Sequence, residues 1–249
     1  MNKDFAIWEG VYDSFNAISI VGDGFEGDTW ITNSVKEIKN ELRLAQKNKL
    51  IVHDLPFYSL AANLYTKNQK IRVLDFGGGM GKSFVHLFSV LPQNKSIDYT
   101  VIESKKVTVT ANKIFAKDSR ITFLSKLPKH KKFDIIYISS SLQYIEEWQE
   151  LLLKLSRYKA KYFIFTDLPA GNIKKTYVTS QNYYDSKIAC LFFKLDDIIS
   201  ELNKINYTLI YKNNFQANIL KRYNYYPQYN FDKKYQINYS KTLVFKNKI

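Results

Sequence analysis

Short apolar runs alternate along the chain with stretches in which apolar residues recur at helical spacing, and this alternation predicts strands and helices in turn. Ile71, Val73 and Leu74 read as a short strand closed by Asp75, and Phe84, Leu87, Phe88 and Leu91 continue from Ser83 as a helix. Asp98-Tyr99-Thr100-Val101-Ile102-Glu103 reads as the next strand, 105–116 as a helix and 121–124 as a third strand. Residues 134–138 form a fourth strand, 144–157 a helix, and Tyr162 to Phe165 a fifth strand. Ahead of this series, 34–48 reads as a helix capped by Asn33 or Ser34, and 56–66 as the helix before the first strand. Behind it, 193–204 reads as a helix, and 207–211 and 242–245 as an antiparallel final hairpin at the sheet edge. Strict alternation of this kind predicts an α/β fold with a parallel sheet and right-handed crossovers. The 249 residues contain no internal repeat or low-complexity linker. They read as one globular unit, an N-terminal cap or lid segment over 1–55 followed by an α/β domain over 56–249.

Gly77, Gly78, Gly79 and Gly81 lie between the first strand and its helix. A strand, a glycine turn and a helix form the ligand-binding end of an α/β unit, where free helix N–H groups meet a carboxylate or phosphate. A nucleotide-triphosphate loop needs Gly-x-x-x-x-Gly-Lys-[Ser/Thr]; Gly81-Lys82-Ser83 ends that way, but the first glycine falls on Phe76. A dinucleotide loop needs Gly-x-Gly-x-x-Gly, and the spacing here is Gly77-x-Gly79-x-Gly81.

Asp75 directly ahead of these glycines resembles the first motif of class I S-adenosylmethionine (SAM) methyltransferases. The resemblance implies a Rossmann-like, mostly parallel seven-stranded sheet with an antiparallel C-terminal strand. It also implies SAM as cofactor, its methionine moiety held by Asp75 and the backbone of Gly77, Gly78, Gly79 and Gly81. Glu103 lies 22 residues past Gly81, close to the spacing of a ribose-binding acid. A carboxylate there accepts hydrogen bonds from both ribose hydroxyls, and Ser104 stands beside it.

Trp8-Glu9-Gly10-Val11-Tyr12-Asp13-Ser14-Phe15 narrows the resemblance. It is similar to the Trp-x-Gly-x-Tyr-x-Ser-[Trp/Phe] opening of a bacterial family of methyltransferase-like proteins, often encoded with genes for surface-glycan synthesis. That family's Leu-Asp-Phe-Gly-Gly-x-x-Gly loop is matched by Leu74 to Gly81, and its Ser-Ser-x-Leu-Gln-Tyr by Ser139 to Tyr144. Its late glutamine is matched by Gln181. Its Asp-Arg-Thr-Pro after the fifth strand is replaced by Thr166-Asp167-Leu168-Pro169, and its Glu-Arg-Asp before the first strand is not evident around Ile51 to Asp54. The resemblance implies O- or N-methylation of a sugar or glycan precursor; RNA methylation and a non-catalytic SAM-binding subunit are the alternatives.

Ligands of open α/β sheets sit beyond the carboxyl ends of the strands. Asp167 is therefore the first candidate for an acceptor-site base, equally readable as a turn or capping residue; His53 is the second. Ser139, Ser140 and Gln143 fall on the cofactor side, with Gln143 and Tyr144 placed to orient the acceptor or cover the adenine. Trp8 and Tyr12, with Gln181, are candidates for a lid or substrate wall, although aromatics at i and i+4 also fit the packing stripe of a helix turn. The tyrosine-rich stretch 223–235 suits sugar stacking, an oligomer contact or an ordinary loop.

Charge alters this picture little. The net charge is +14, but the cations are mostly scattered lysines and only five are arginine (Arg43, Arg72, Arg120, Arg157, Arg222), so a nucleic-acid partner is not expected. No apolar run reaches a membrane span and no leader is visible at the N-terminus, which Asp4, Trp8 and Glu9 interrupt. The one cysteine, Cys190, suits a reducing cytoplasm. The histidines, His53, His86 and His130, are too dispersed for a metal site, and none is expected. The expected partners are a small-molecule or glycan acceptor and, as a possibility left open, a second copy of the chain.

Overall fold

A computed structural model describes residues 6–50, 55–68, 70–91, 96–216 and 226–248. His53 and residues 223–225 of the tyrosine-rich stretch lie outside the described residues. The elements run β1 (Trp8–Tyr12), α1 (Asp28–Gln46), α2 (Leu55–Asn68), β2 (Ile71–Phe76), α3 (Lys82–Val90), β3 (Ile97–Ile102), α4 (Lys105–Ile114) and β4 (Ile121–Leu124). They continue with β5 (Ile135–Ser139), α5 (Trp148–Ser156), β6 (Tyr162–Leu168), β7 (Ala170–Gly171), β8 (Tyr177–Tyr183), β9 (Ser186–Lys194), α6 (Leu195–Lys204), β10 (Tyr207–Phe215) and β11 (Ser240–Asn247).

The main sheet has seven strands in the order β10-β11-β6-β5-β2-β3-β4. β2, β3, β4, β5 and β6 are mutually parallel, and β11 is antiparallel to both of its neighbours. The central strands are apolar on both faces because helices cover both. Val73, Tyr99, Ile135 and Tyr137 face Ile38, Phe57, Phe84 and Val107 of α1 to α4. Leu74, Ile136, Ile138 and Phe163 face Leu152, Leu155, Ile198 and Leu202 of α5 and α6. Strands that are apolar on both faces are what a parallel sheet demands. The order reverses at β2, whose neighbours are β3 and β5. A ligand crevice is expected at that switch point, beyond the carboxyl ends.

A second sheet, β1-β8-β9-β7, has no counterpart in the sequence reading. β8 and β9 form a hairpin inserted between β6 and α6, and β1 adds to it antiparallel with Trp8 opposite Gln181. The N-terminal residues thus belong to the same layer as residues 177–194. This corrects the helix-turn reading of Trp8 and Tyr12, which sit on a strand. Nor does Tyr12 line the cavity: its ring lies where a Cβ on Gly10 would be 2.6 Å away, and it packs against the hydrophobic core.

Two helices differ from expectation. α1 starts at Asp28 with Gly27 as its cap, not at Asn33 or Ser34. Trp30 and Ile31 pack on the core, and that contact extends the helix backwards. The helix expected over 144–157 divides into a 3-10 turn, Leu142–Tyr144, and α5. Ser141 bonds the Phe76 carbonyl and Tyr144 bonds Gln181, so this turn is drawn toward the crevice.

Candidate active site

The turn after β2 is built around its glycines. Gly77 has φ +70°, and a Cβ there would lie 2.4 Å from the Ser141 Cβ. A side chain at position 77 would therefore be strained and would clash. At Gly78 a Cβ would lie 2.4 Å from Asp75 Oδ2, so the carboxylate packs directly beneath the turn. Gly81 caps α3 without a side-chain hydrogen bond, and the first N–H groups of the helix follow it.

Two acids flank this turn, in different ways. Glu103, just past β3, faces the crevice. Its Oε1 accepts the Gly79 N–H at 3.0 Å and its Oε2 accepts the Ser104 N–H at 2.8 Å. Each oxygen keeps a further lone pair for a ligand hydroxyl. Burial pushes its pKa up, opposed by these two N–H groups. Asp75 is fully buried behind the turn, and Tyr99 donates its hydroxyl to Oδ2 at 2.7 Å. Burial raises the Asp75 carboxyl to about 7 against that hydrogen bond, and the Glu103 charge pushes the same way. Asp75 does not line the crevice. The geometry makes it a support for the glycine turn, where the sequence had suggested direct contact with the ligand.

Beyond β5, Ser140 has φ +48° and donates its N–H to the Thr166 carbonyl. Gln143 is buried and donates from Nε2 to Ser140 Oγ at 3.2 Å, while its Oε1 has no partner among the described residues. The residue lines the cavity, but this oxygen itself is buried. Ser139 ends β5 and, like Gly78 and Gly81, does not line the cavity.

The opposite end of the cavity is aromatic. Trp8 stacks on Tyr226 with ring centroids 4.9 Å apart, and Phe192 meets Trp8 edge-on at 5.4 Å. Asp167 stands at an irregularity where β6 meets β11, with φ +50°. Its Oδ1 accepts hydroxyl hydrogens from Ser240 at 2.6 Å and Tyr226 at 3.2 Å. It caps no helix. Tyr144 donates its hydroxyl to Gln181 Oε1 at 3.1 Å, and burial pushes its pKa up, so at neutral pH it is a hydrogen-bonding wall group and not a base. Cys190 is buried beside this end, and burial raises its thiol pKa, which keeps it protonated.

The cover over the glycine turn comes from residues the sequence reading passed over. Phe25 packs against Tyr144, Tyr183 and Trp30, and the Trp30 indole N–H donates to the Tyr183 hydroxyl at 3.1 Å. Trp30 Cη2 lies 3.9 Å from the place a Cβ on Gly79 would occupy. Lys106 of α4 ties this segment down through the Glu26 carbonyl and Asp28, and Ser186 holds it on the other side by accepting the Gly24 N–H. The periodicity read as a helix from 34 hid Trp30, and no pattern marks Phe25.

Together these walls enclose a cavity of about 1260 Å³ that runs from the glycine turn and Glu103 to Asp167 and the Trp8–Tyr226 stack. It brings together Gly77, Gly79, Glu103, Ser104, Ser140, Gln143, Tyr144, Asp167, Trp8 and Gln181 from the sequence-based candidates. Among the described residues, no group of His, Cys, Asp and Glu is placed to hold a metal, and no helix is long and apolar enough to cross a membrane.

The strand order, the single antiparallel strand β11 and the glycine turn after β2 define the Rossmann-like fold of class I SAM-dependent methyltransferases. Solved structures share it at low sequence identity. A SAM-dependent methyltransferase from Clostridium acetobutylicum is 15% identical, with a TM-score of 0.50 over 87% of this chain and 98% of its own. The 1,6-didemethyltoxoflavin-N1-methyltransferase of Burkholderia thailandensis, solved with 1,6-didemethyltoxoflavin and S-adenosylhomocysteine, is 11% identical, with a TM-score of 0.50 over 92% and 94%. The complex between the Haloferax volcanii Trm112 methyltransferase activator and a methyltransferase-like protein gives 10% identity and a TM-score of 0.53 over 90% and 96%. No protein-family model matches the chain, and no curated protein matches it in sequence.

Proposed function

We propose that this chain is a SAM-dependent methyltransferase that modifies a hydroxyl or amine of a small acceptor. The observation that carries the proposal is Glu103, a half-buried carboxylate on the cavity wall, fixed by the Gly79 and Ser104 N–H groups. The donor set fits the cofactor. The close-packed turn at Gly77 to Gly79 suits its amino-acid portion and Glu103 its ribose hydroxyls, with Gln143 on the same wall. When bound, the cofactor supplies a methyl group on an electrophilic sulfonium.

The protein's own part is positioning and water exclusion. Phe25 and Trp30 cover the turn, and the small sheet closes the other side. Asp167, at the acceptor end, is placed to take a proton from an acceptor hydroxyl or amine. The N-terminal motif supports a sugar or glycan precursor of a bacterial surface polysaccharide as acceptor, and the lone cysteine supports a cytoplasmic setting. No lysine, arginine or histidine lines the cavity among the described residues, which disfavours RNA.

Calorimetric titration with S-adenosylhomocysteine and, separately, NAD tests the cofactor. Binding of the first and not the second is expected, and the reverse result overturns the reading. Transfer of labelled methyl from SAM to sugar acceptors separates an enzyme from a binding subunit, which yields no labelled product.

A further inference from the structure

β8 and the turn after it bring four consecutive residues, Gln181 to Tyr184, to the cavity wall. Two of them are amides with one end committed. Gln181 Oε1 accepts the Tyr144 hydroxyl at 3.1 Å, which leaves Nε2 as a donor. Asn182 Nδ2 donates to the Ala6 carbonyl and to Glu9 Oε1, both at 2.8 Å, which leaves Oδ1 as an acceptor. Neither free end has a partner among the described residues, and unlike Gln143 Oε1 neither is sealed from solvent. Tyr184 is the odd residue of the turn. Tyr183 and Ser186 pair across the hairpin, so Tyr184-Asp185 is a two-residue loop. Loops of this length favour glycine, asparagine or aspartate at positive φ, yet Tyr184 stands there at φ +53°. A bulky side chain in that region is strained, and such strain clusters at ligand-binding sites. Packing offers Tyr184 little: the residue is 59% exposed and meets the Tyr183 ring edge-on at 4.8 Å.

We infer that Gln181, Asn182 and Tyr184 form a sugar-binding rim at the cavity mouth, where a neutral pyranose stacks one face on the Tyr184 ring and meets the two amides with its hydroxyls. The axial C–H groups of a pyranose make a flat apolar face that suits an exposed aromatic ring. Its hydroxyls both donate and accept, which matches one free amide nitrogen and one free amide oxygen. A phosphate dianion has no hydrogen to give Asn182 Oδ1, and a flat aromatic ligand has no such set of hydroxyls. This deepens the proposed function and rests on it for reading the sugar as part of the methyl acceptor; the rim itself rests on the wall geometry.

Saturation-transfer NMR on the full chain tests the rim. The probes are the methyl glycosides of glucose, galactose, mannose and N-acetylglucosamine, with 4-methylphenol as the aromatic control. Saturation of the ring C–H protons of at least one glycoside is expected. Asparagine accepts positive φ and lacks the ring, so Tyr184→Asn is expected to reduce that signal about fivefold or more. The same variant is expected to keep its affinity for S-adenosylhomocysteine and to melt within about 3 °C of the parent chain or above it. Gln181→Glu keeps an oxygen for Tyr144 but removes the free donor, and is expected to lower the glycoside signal while S-adenosylhomocysteine still binds. Saturation of no glycoside, or a glycoside signal that survives Tyr184→Asn, overturns the inference. So does a preference for 4-methylphenol, which assigns the rim to an aromatic ligand, or a larger fall in melting temperature, which assigns the Tyr184 ring to the fold. If S-adenosylhomocysteine does not bind but the glycoside response holds, the cofactor reading fails and the rim stands; the reverse pattern removes the rim alone.

Discussion

Glu103 accepts the Gly79 N–H at 3.0 Å, so the acid that follows β3 holds the turn that follows β2. The same carboxylate therefore has two tasks: it fixes the loop and offers its remaining lone pairs to the cavity. Glu103→Gln keeps one acceptor oxygen and loses the charge; Glu103→Ala loses both. Calorimetry with S-adenosylhomocysteine is expected to show a loss of about 1–3 kcal/mol for Glu103→Ala and a smaller one for Glu103→Gln. Unchanged affinity in both variants would remove Glu103 from the site.

The buried Asp75–Tyr99 pair makes stability depend on pH. Burial raises the Asp75 carboxyl from 3.8 to about 7. Between about pH 4 and pH 7 the folded chain holds a proton that the unfolded chain has released. Stability from this group is greatest below that window, falls as pH rises through it, and levels off above it. Asp75→Asn has no proton to lose. Urea unfolding at pH 5 and pH 8 is expected to show a loss on the order of 1–3 kcal/mol in the parent chain that the variant lacks. Tyr99→Phe removes the donor to Oδ2 and is expected to cost about 1–3 kcal/mol, more at pH 8 than at pH 5. An equal cost at both pH values would show that Tyr99 does not hold a charge.

Trp30 lies over Gly79 and bonds Tyr183, so a ligand resting on the glycine turn sits beneath its indole. The chain has three tryptophans, and Trp148 is buried against Phe193 in the core. Binding of S-adenosylhomocysteine is expected to change the fluorescence, and Trp30→Phe to remove most of that change. Trp30→Ala is expected to weaken binding by about 1–2 kcal/mol. A signal that persists in Trp30→Phe would assign the response to Trp8, at the aromatic end of the cavity.

The centre of the main sheet was legible because its strands are buried on both faces. Ile135 to Ile138 is an unbroken apolar run, and Ile71, Val73 and Leu74 carry the same signal around Arg72. Glu103 was readable from its distance to the glycines. The second sheet was not. β8 reads Tyr-Val-Thr-Ser-Gln-Asn-Tyr, and its buried Thr179, Ser180 and Gln181 break any apolar alternation. In β9, Ile188 to Phe193 is a continuous apolar run, which period alone does not separate from a helix. Asp75 shows a different limit. Its place before the glycines fixes its importance, but only the fold reveals that it lies under the turn, against Tyr99.

β1 gains its hydrogen-bonded neighbour about 170 residues downstream, where Trp8 faces Gln181. A ribosome that has made the first hundred residues has therefore made one side of the cavity without anything to dock it on. The chamber closes only after the β8–β9 hairpin has emerged, so ligand competence arrives late in synthesis, well after β2 and β3 can pair.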